Sequence, residues 1–143
     1  MPVRNQRFSG SAVLAGALVL ATAPASEAAT TAGGYPNGCG LTVLLDSAPS
    51  GGWIFTSSLT SCPYLVDSIR MEAKIYRSRW YGWEQMQDGS VVGPVRRSEH
   101  FRLGYRCAGT GVYDYKIVTN GAVVVSGKEY TAAAYDILEK ASC

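Results

Sequence analysis

The sequence predicts a mostly β fold, an antiparallel β-sandwich, on three observations. First, apolar residues alternate with polar ones in several short runs, the period of a strand with one face in a core. In the clearest run, Tyr113, Tyr115, Ile117 and Thr119 alternate with Val112, Asp114, Lys116 and Val118. Second, turn signals such as Asp88-Gly89, Gly93-Pro94 and Asn120-Gly121 separate the runs at short spacing. Third, Cys39, Cys62, Cys107 and Cys143 give an even cysteine count in a chain that begins like an exported one, which predicts a small disulfide-stabilised domain.

Residues 1–28 read as a secretory signal peptide. Arg4 and Arg7 supply the positive start, Ala12 to Ala23 form an apolar stretch, and small residues close it around Ala28 and Ala29. The stretch is shorter than the roughly 20 apolar residues a membrane span needs. Residues 29–143 then form one domain, and the expected localisation is secreted, extracellular.

Along that domain, Leu41, Val43 and Leu45 alternate with Thr42, Leu44 and Asp46 in a first strand. Gly- and Pro-containing sequence from Asp46 to Gly52 marks a turn. Trp53, Phe55 and Leu59 share one face of the returning strand, with Thr56, Ser58 and Thr60 on the other, and Pro63 ends that unit. Ile69, Met71, Ala73 and Ile75 form the buried face of a further strand. The chain bends at Gly82, and Trp83 to Gln87 run back. Phe101, Leu103, Tyr105 and Cys107 face one way on the next strand, with His100, Arg102 and Arg106 facing the other.

Asn120-Gly121 has the residues of a two-residue type I′ turn. It predicts a hairpin with Thr119 opposite Ala122. Residues 131–143 fit a strand or a short helix. A strand would set Ile137, Glu139, Ala141 and Cys143 on one face beside Cys107, and it is the reading preferred. Three disulfide pairings can be drawn. Cys39–Cys62 with Cys107–Cys143 is favoured, because each bond then ties the ends of a locally folded unit.

Charge argues against nucleic acid as a partner. From residue 29 onward, eleven Lys and Arg face ten Asp and Glu, a balance far from the strongly basic character of such binders. The excess is concentrated between Arg70 and Arg106, with eight positive and four negative residues.

Catalytic patterns are missing. His100 is the only histidine, there is no Gly-x-Ser-x-Gly elbow, and the alternation puts His100 on a solvent face. Glu84 and Asp88 read as solvated charges. No Cys-x-x-Cys spacing predicts a metal, and no pattern predicts a cofactor. The expectation is a protein that is not an enzyme.

The remaining candidate is Tyr76, Arg77, Ser78, Arg79, Trp80, Tyr81, Gly82 and Trp83, with four aromatics and two arginines in eight positions. Tyr, Trp and Arg dominate binding hot spots because each couples large contact area to directed polar groups. The alternation through Ile75 would carry Arg77 and Arg79 onto the buried face. Unpaired cations are costly there, so the strand is expected to leave the core near Arg77, or the sandwich to open, and to place Trp80 and Tyr81 at a rim. The binding set is Tyr76, Arg77, Arg79, Trp80, Tyr81 and Trp83. The expected partner is an extracellular protein, with carbohydrate the other candidate, and no membrane once the leader is cleaved.

Thr110-Gly-Val-Tyr113 resembles the Gly-x-Tyr of the F strand in immunoglobulin-like domains, which implies a sandwich. Tyr115 stands where that family carries its core cysteine, so Cys107 must pair elsewhere. Arg79-Trp80-Tyr81 resembles, in composition though not in order, the Trp-Arg-Tyr turn of small secreted α-amylase inhibitors of actinomycetes. That likeness implies inhibition of a secreted hydrolase. The exported small-domain architecture is also similar to accessory subunits of secreted toxin particles.

Overall fold

In the computed structural model, which describes residues 32–48 and 52–143, side-chain alternation builds eight strands. These are β1 (Ala32–Gly34), β2 (Gly40–Ala48), β3 (Trp53–Val66), β4 (Ser68–Arg79), β5 (Gly82–Gly93), β6 (Arg96–Arg106), β7 (Val112–Val125) and β8 (Lys128–Ser142). They form two antiparallel four-stranded sheets, β1-β2-β3-β6 and β5-β4-β7-β8, packed as the expected sandwich. The segment read as a leader lies outside the described residues.

The core is where the two inner faces meet. Leu41, Val43, Leu45 and Ile54 come from the first sheet; Ile69, Met71, Ile75, Tyr115, Ile117 and Val123 come from the second, all buried. A fully buried aliphatic side chain of this size contributes about 1.5–3 kcal/mol through area removed from water. Both favoured disulfides are present. Cys39–Cys62 staples β2 to β3 within one sheet, and Cys107–Cys143 joins the end of β6 to the end of β8 across the two sheets. Two such bonds suit an oxidising environment.

On β3 the face that turns inward is the polar one. Ile54, Thr56, Ser58 and Thr60 are buried, while Trp53 and Leu59 are exposed. The hydroxyls are satisfied there. Ser58 Oγ lies 2.8 Å from Thr119 Oγ1 across the sandwich, Tyr35 Oη lies 2.9 Å from Thr60 Oγ1, and the Leu103 amide donates to Thr56 Oγ1. Burial pushes the Tyr35 phenol pKa up, against the opposing pull of its Thr60 hydrogen bond.

The hairpin expected at Asn120-Gly121 does not form. β7 runs through both residues, with Thr119 in register with Ala134 and Gly121 with Ala132. Gly121 is small for a packing reason: a Cβ there would stand 1.8 Å from Tyr35 Oη. The reversal comes at Ser126 and Gly127, whose φ of 50° and 77° fit a type I′ turn between Val125 and Lys128. Asp88-Gly89 likewise lies inside β5, where a Cβ on Gly89 would stand 3.0 Å from both Phe101 and Leu103. Pro63 does not end its unit either; β3 continues to Val66 through a register shift after Ser61.

The C-terminal segment is a strand, but with the other face inward. Ala134 and Asp136 are buried, and a bulge between Leu138 and Ala141 then turns Ala141 inward beside Cys143. Lys140, at φ 50°, forms the kink, and its amide donates to Asp114 Oδ1. Among the described residues Asp136 is the buried acid. Its Oδ2 accepts from the Leu45 amide at 2.8 Å and its Oδ1 from the Ile137 amide at 2.9 Å. Burial raises its pKa, partly offset by those two amides.

Two predictions follow from this frame. Replacing Cys107 and Cys143 together by Ser should lower unfolding free energy by about 3–4 kcal/mol, the chain-entropy value for a loop of this length; a loss below about 1 kcal/mol would show that the bond joins already fixed ends. The second concerns Asp136. A carboxyl whose folded pKa is raised adds stability fully below the ordinary aspartate value and loses it as pH rises through the folded value. Stability of the wild type relative to Asp136→Asn should therefore fall as pH rises from about 4 towards neutral in a series of urea melts. A relative stability that grows over the same range would contradict the direction of the shift.

Candidate functional site

β4 and β5 form a hairpin whose last pair is Arg79 with Gly82, leaving Trp80 and Tyr81 as the turn. Gly82, at φ 129°, takes the conformation that a side chain would resist. Trp80 is 95% exposed and Tyr81 60% exposed, and their rings meet edge to face at 5.3 Å. The rim position expected from the sequence is thus where the pair stands.

The path to that rim differs from the expectation. β4 does not leave the core at Arg77; it stays paired to Arg79, and Arg77 remains 8% exposed on the inner face. The cation is tolerated because Glu84 faces it across the hairpin. Glu84 Oε2 receives Arg79 Nε at 2.6 Å and Arg77 Nη2 at 3.5 Å. The two guanidinium carbons also lie 4.9 Å and 5.7 Å from the Tyr113 ring centroid. Arg77 Nε finds no acceptor among the described residues. The hydrogen bond from Arg79 holds the Glu84 carboxyl below its ordinary pKa, and the same bond raises Arg79. Glu84 is a tie at the base of the turn rather than a solvated charge.

Tyr76 and Trp83 point to the opposite, outward face of the β5-β4-β7-β8 sheet. Lys116 Nζ lies 4.7 Å from the Trp83 ring centroid and 5.4 Å from that of Tyr76. Beside them Trp83, Lys116, Val118, Tyr135 and Ile137 line a shallow, mostly apolar groove of about 340 Å³. The six residues named from the sequence are therefore divided. Trp80 and Tyr81 form the turn, Arg77 and Arg79 brace it from the inner side, and Tyr76 and Trp83 continue it onto the outer face.

Sequence reasoning missed Glu84, Tyr113, Lys116, Tyr135 and Ile137 as parts of this region. Glu84 carried a readable signal. With Trp80-Tyr81 as the turn, pairing outward from Arg79 and Gly82 sets Arg77 opposite Glu84. The others come from β7 and β8, whose register depended on the misplaced turn. Elsewhere His100 is on a solvent face as expected, with its Nε2 2.6 Å from Ser57 Oγ. Among the described residues no group of three His, Cys, Asp or Glu side chains could hold a metal ion. No protein-family model, curated protein or solved structure matches the chain.

The ion pair yields a prediction. A carboxyl with a lowered folded pKa adds stability above its ordinary value, which is lost as pH falls through the folded value. Amide hydrogen exchange at residues 79–84 should therefore quicken in Glu84→Gln at neutral pH, with exchange in β7 unchanged. In the wild type the same quickening should appear only on acidification. Equal protection of the turn in both proteins at neutral pH would show that Glu84 does not hold it.

Proposed function

We propose that this chain is a non-catalytic binding module acting outside the cell, and that its β4–β5 turn docks on a partner protein. The observation that carries the reading is the Trp80–Tyr81 pair, 95% and 60% exposed at the end of a braced hairpin. A large aromatic surface held in water is unfavourable unless something covers it, and a Trp-Tyr-Arg cluster is the composition of an interface hot spot. Bracing by Glu84 lowers the entropy lost when the turn is immobilised in a complex. The two disulfides suit the extracellular setting. The projecting turn also has the convex shape that enters a cleft, which favours inhibition of a secreted hydrolase as the second reading.

The test is affinity capture from culture medium with wild type and Trp80→Ala in parallel. Wild type should retain a stoichiometric protein partner, and Trp80→Ala should weaken that binding by about 2 kcal/mol or more with its thermal midpoint unchanged. Loss of a captured hydrolase's activity on titration would select the inhibitor reading. Undiminished binding by Trp80→Ala, or a stability loss of about 3–5 kcal/mol as for a buried aromatic, would overturn the assignment of the site.

A further inference from the structure

The outward face of the other sheet carries a second aromatic surface. On β3, Trp53, Phe55, Ser57 and Leu59 point away from the core, in register with Arg106, Gly104, Arg102 and His100 of β6. The Trp53 and Phe55 rings are nearly parallel, 12° apart in plane with centroids 6.0 Å apart. Both lie over Gly104, within 3.5 Å of where a Cβ on that residue would stand. The Arg102 guanidinium is 5.7 Å from the Phe55 centroid, and the Ser57–His100 hydrogen bond holds the imidazole alongside. Arg102, Arg106, His100 and Trp53 are exposed.

Charge on this face leans positive, two arginines against one aspartate. β3 has no charged residue from Trp53 to Val66, and β6 contributes Arg102 and Arg106. Among the described residues Asp46 of β2, in register with Phe55, is the acid on this face. Arg102 and Arg106 are four residues apart, about 13 Å along a strand. Two stacked aromatics are thus flanked by two arginines.

We propose that this face binds an acidic polysaccharide, with sugar rings lying on Trp53 and Phe55 and uronic carboxylates meeting Arg102 and Arg106. The flat C–H face of a pyranose matches an exposed aromatic face, and guanidinium and carboxylate form paired, charge-assisted hydrogen bonds. An extended chain of uronic acids can reach Arg102 and Arg106 in turn along β6 while its rings stack on Trp53 and Phe55.

The experiment is isothermal titration at low ionic strength with polygalacturonate, its methyl ester, poly-glutamate and single-stranded DNA. Polygalacturonate should bind, and the methyl ester, which keeps the rings and loses the charge, should bind at least about tenfold more weakly. Phe55→Ala and Arg102→Gln should each weaken polygalacturonate binding by about tenfold. Lys128→Gln, which removes the same charge from the β7–β8 turn, should leave it unchanged. Thermal midpoints show that each variant is folded, and the exposed Arg102 keeps the test open if Phe55→Ala is not. Absence of polygalacturonate binding, equal affinity for poly-glutamate or single-stranded DNA, or wild-type affinity in Arg102→Gln would overturn the proposal.

Discussion

The Asp136 carboxyl sits where the two sheets would otherwise leave a backbone donor stranded. β1 covers β2 only from Gly40 to Thr42. Beyond that point the Leu45 amide faces away from β3 towards β8, and Asp136 accepts it inside the protein. A buried amide without a partner is costly, and so is a buried carboxyl without donors; each removes the other's penalty. Ser58 with Thr119 and Tyr35 with Thr60 add contacts of the same directional kind. Apolar layers alone tolerate sliding, whereas these hydrogen bonds are lost by a shift of an ångström or two. The Leu45–Asp136 and Ser58–Thr119 bonds cross between the sheets and fix how β2 and β3 lie over β8 and β7.

That alignment determines what the ends of the strands can do. With β7 continuous from Val112 to Val125, β4 has a partner along Ser68 to Arg77, so the β4–β5 hairpin extends as far as Trp80 and Tyr81. The inner face at that end is finished by Arg77, Arg79, Glu84 and Tyr113 in place of aliphatic side chains. Trp80 and Tyr81 are thus mounted on a scaffold, and a rigid mount is what lets a small exposed surface bind specifically. The β3–β6 face follows from the same alignment. Because the hydroxyl row of β3 turns inward to meet Thr119 and Tyr35, Trp53 and Phe55 must turn outward.

Much of the fold was legible because it rests on period and count. Leu41, Val43 and Leu45, and Ile69 to Ile75, alternate cleanly and are buried as the alternation requires. Four cysteines in two local units allowed the pairing to be chosen. What was not legible depends on neighbours distant in sequence. Gly121 looks like a turn residue until Tyr35 is seen lying against it, and Gly89 until Phe101 and Leu103 are. The inward face of β3 is rich in hydroxyls whose partners are distant in sequence, Ser58 meeting Thr119 across the sandwich, Thr60 meeting Tyr35 and Thr56 meeting the Leu103 amide. In the candidate site, the exposure of Trp80 and Tyr81 followed from local sequence, but the burial of Arg77 depended on Glu84 and Tyr113. An ion pair formed across a turn overcame the rule that cations leave the core.

Native-state hydrogen exchange at the Leu45 amide tests the central role of Asp136 most directly. With Asp136 holding the β2 edge against β8, Leu45 should be protected as strongly as Ile117 in the middle of the second sheet. Exchange of Leu45 at the rate of an uncovered edge amide, with Ile117 still protected, would contradict the claim that this contact locks the two sheets together.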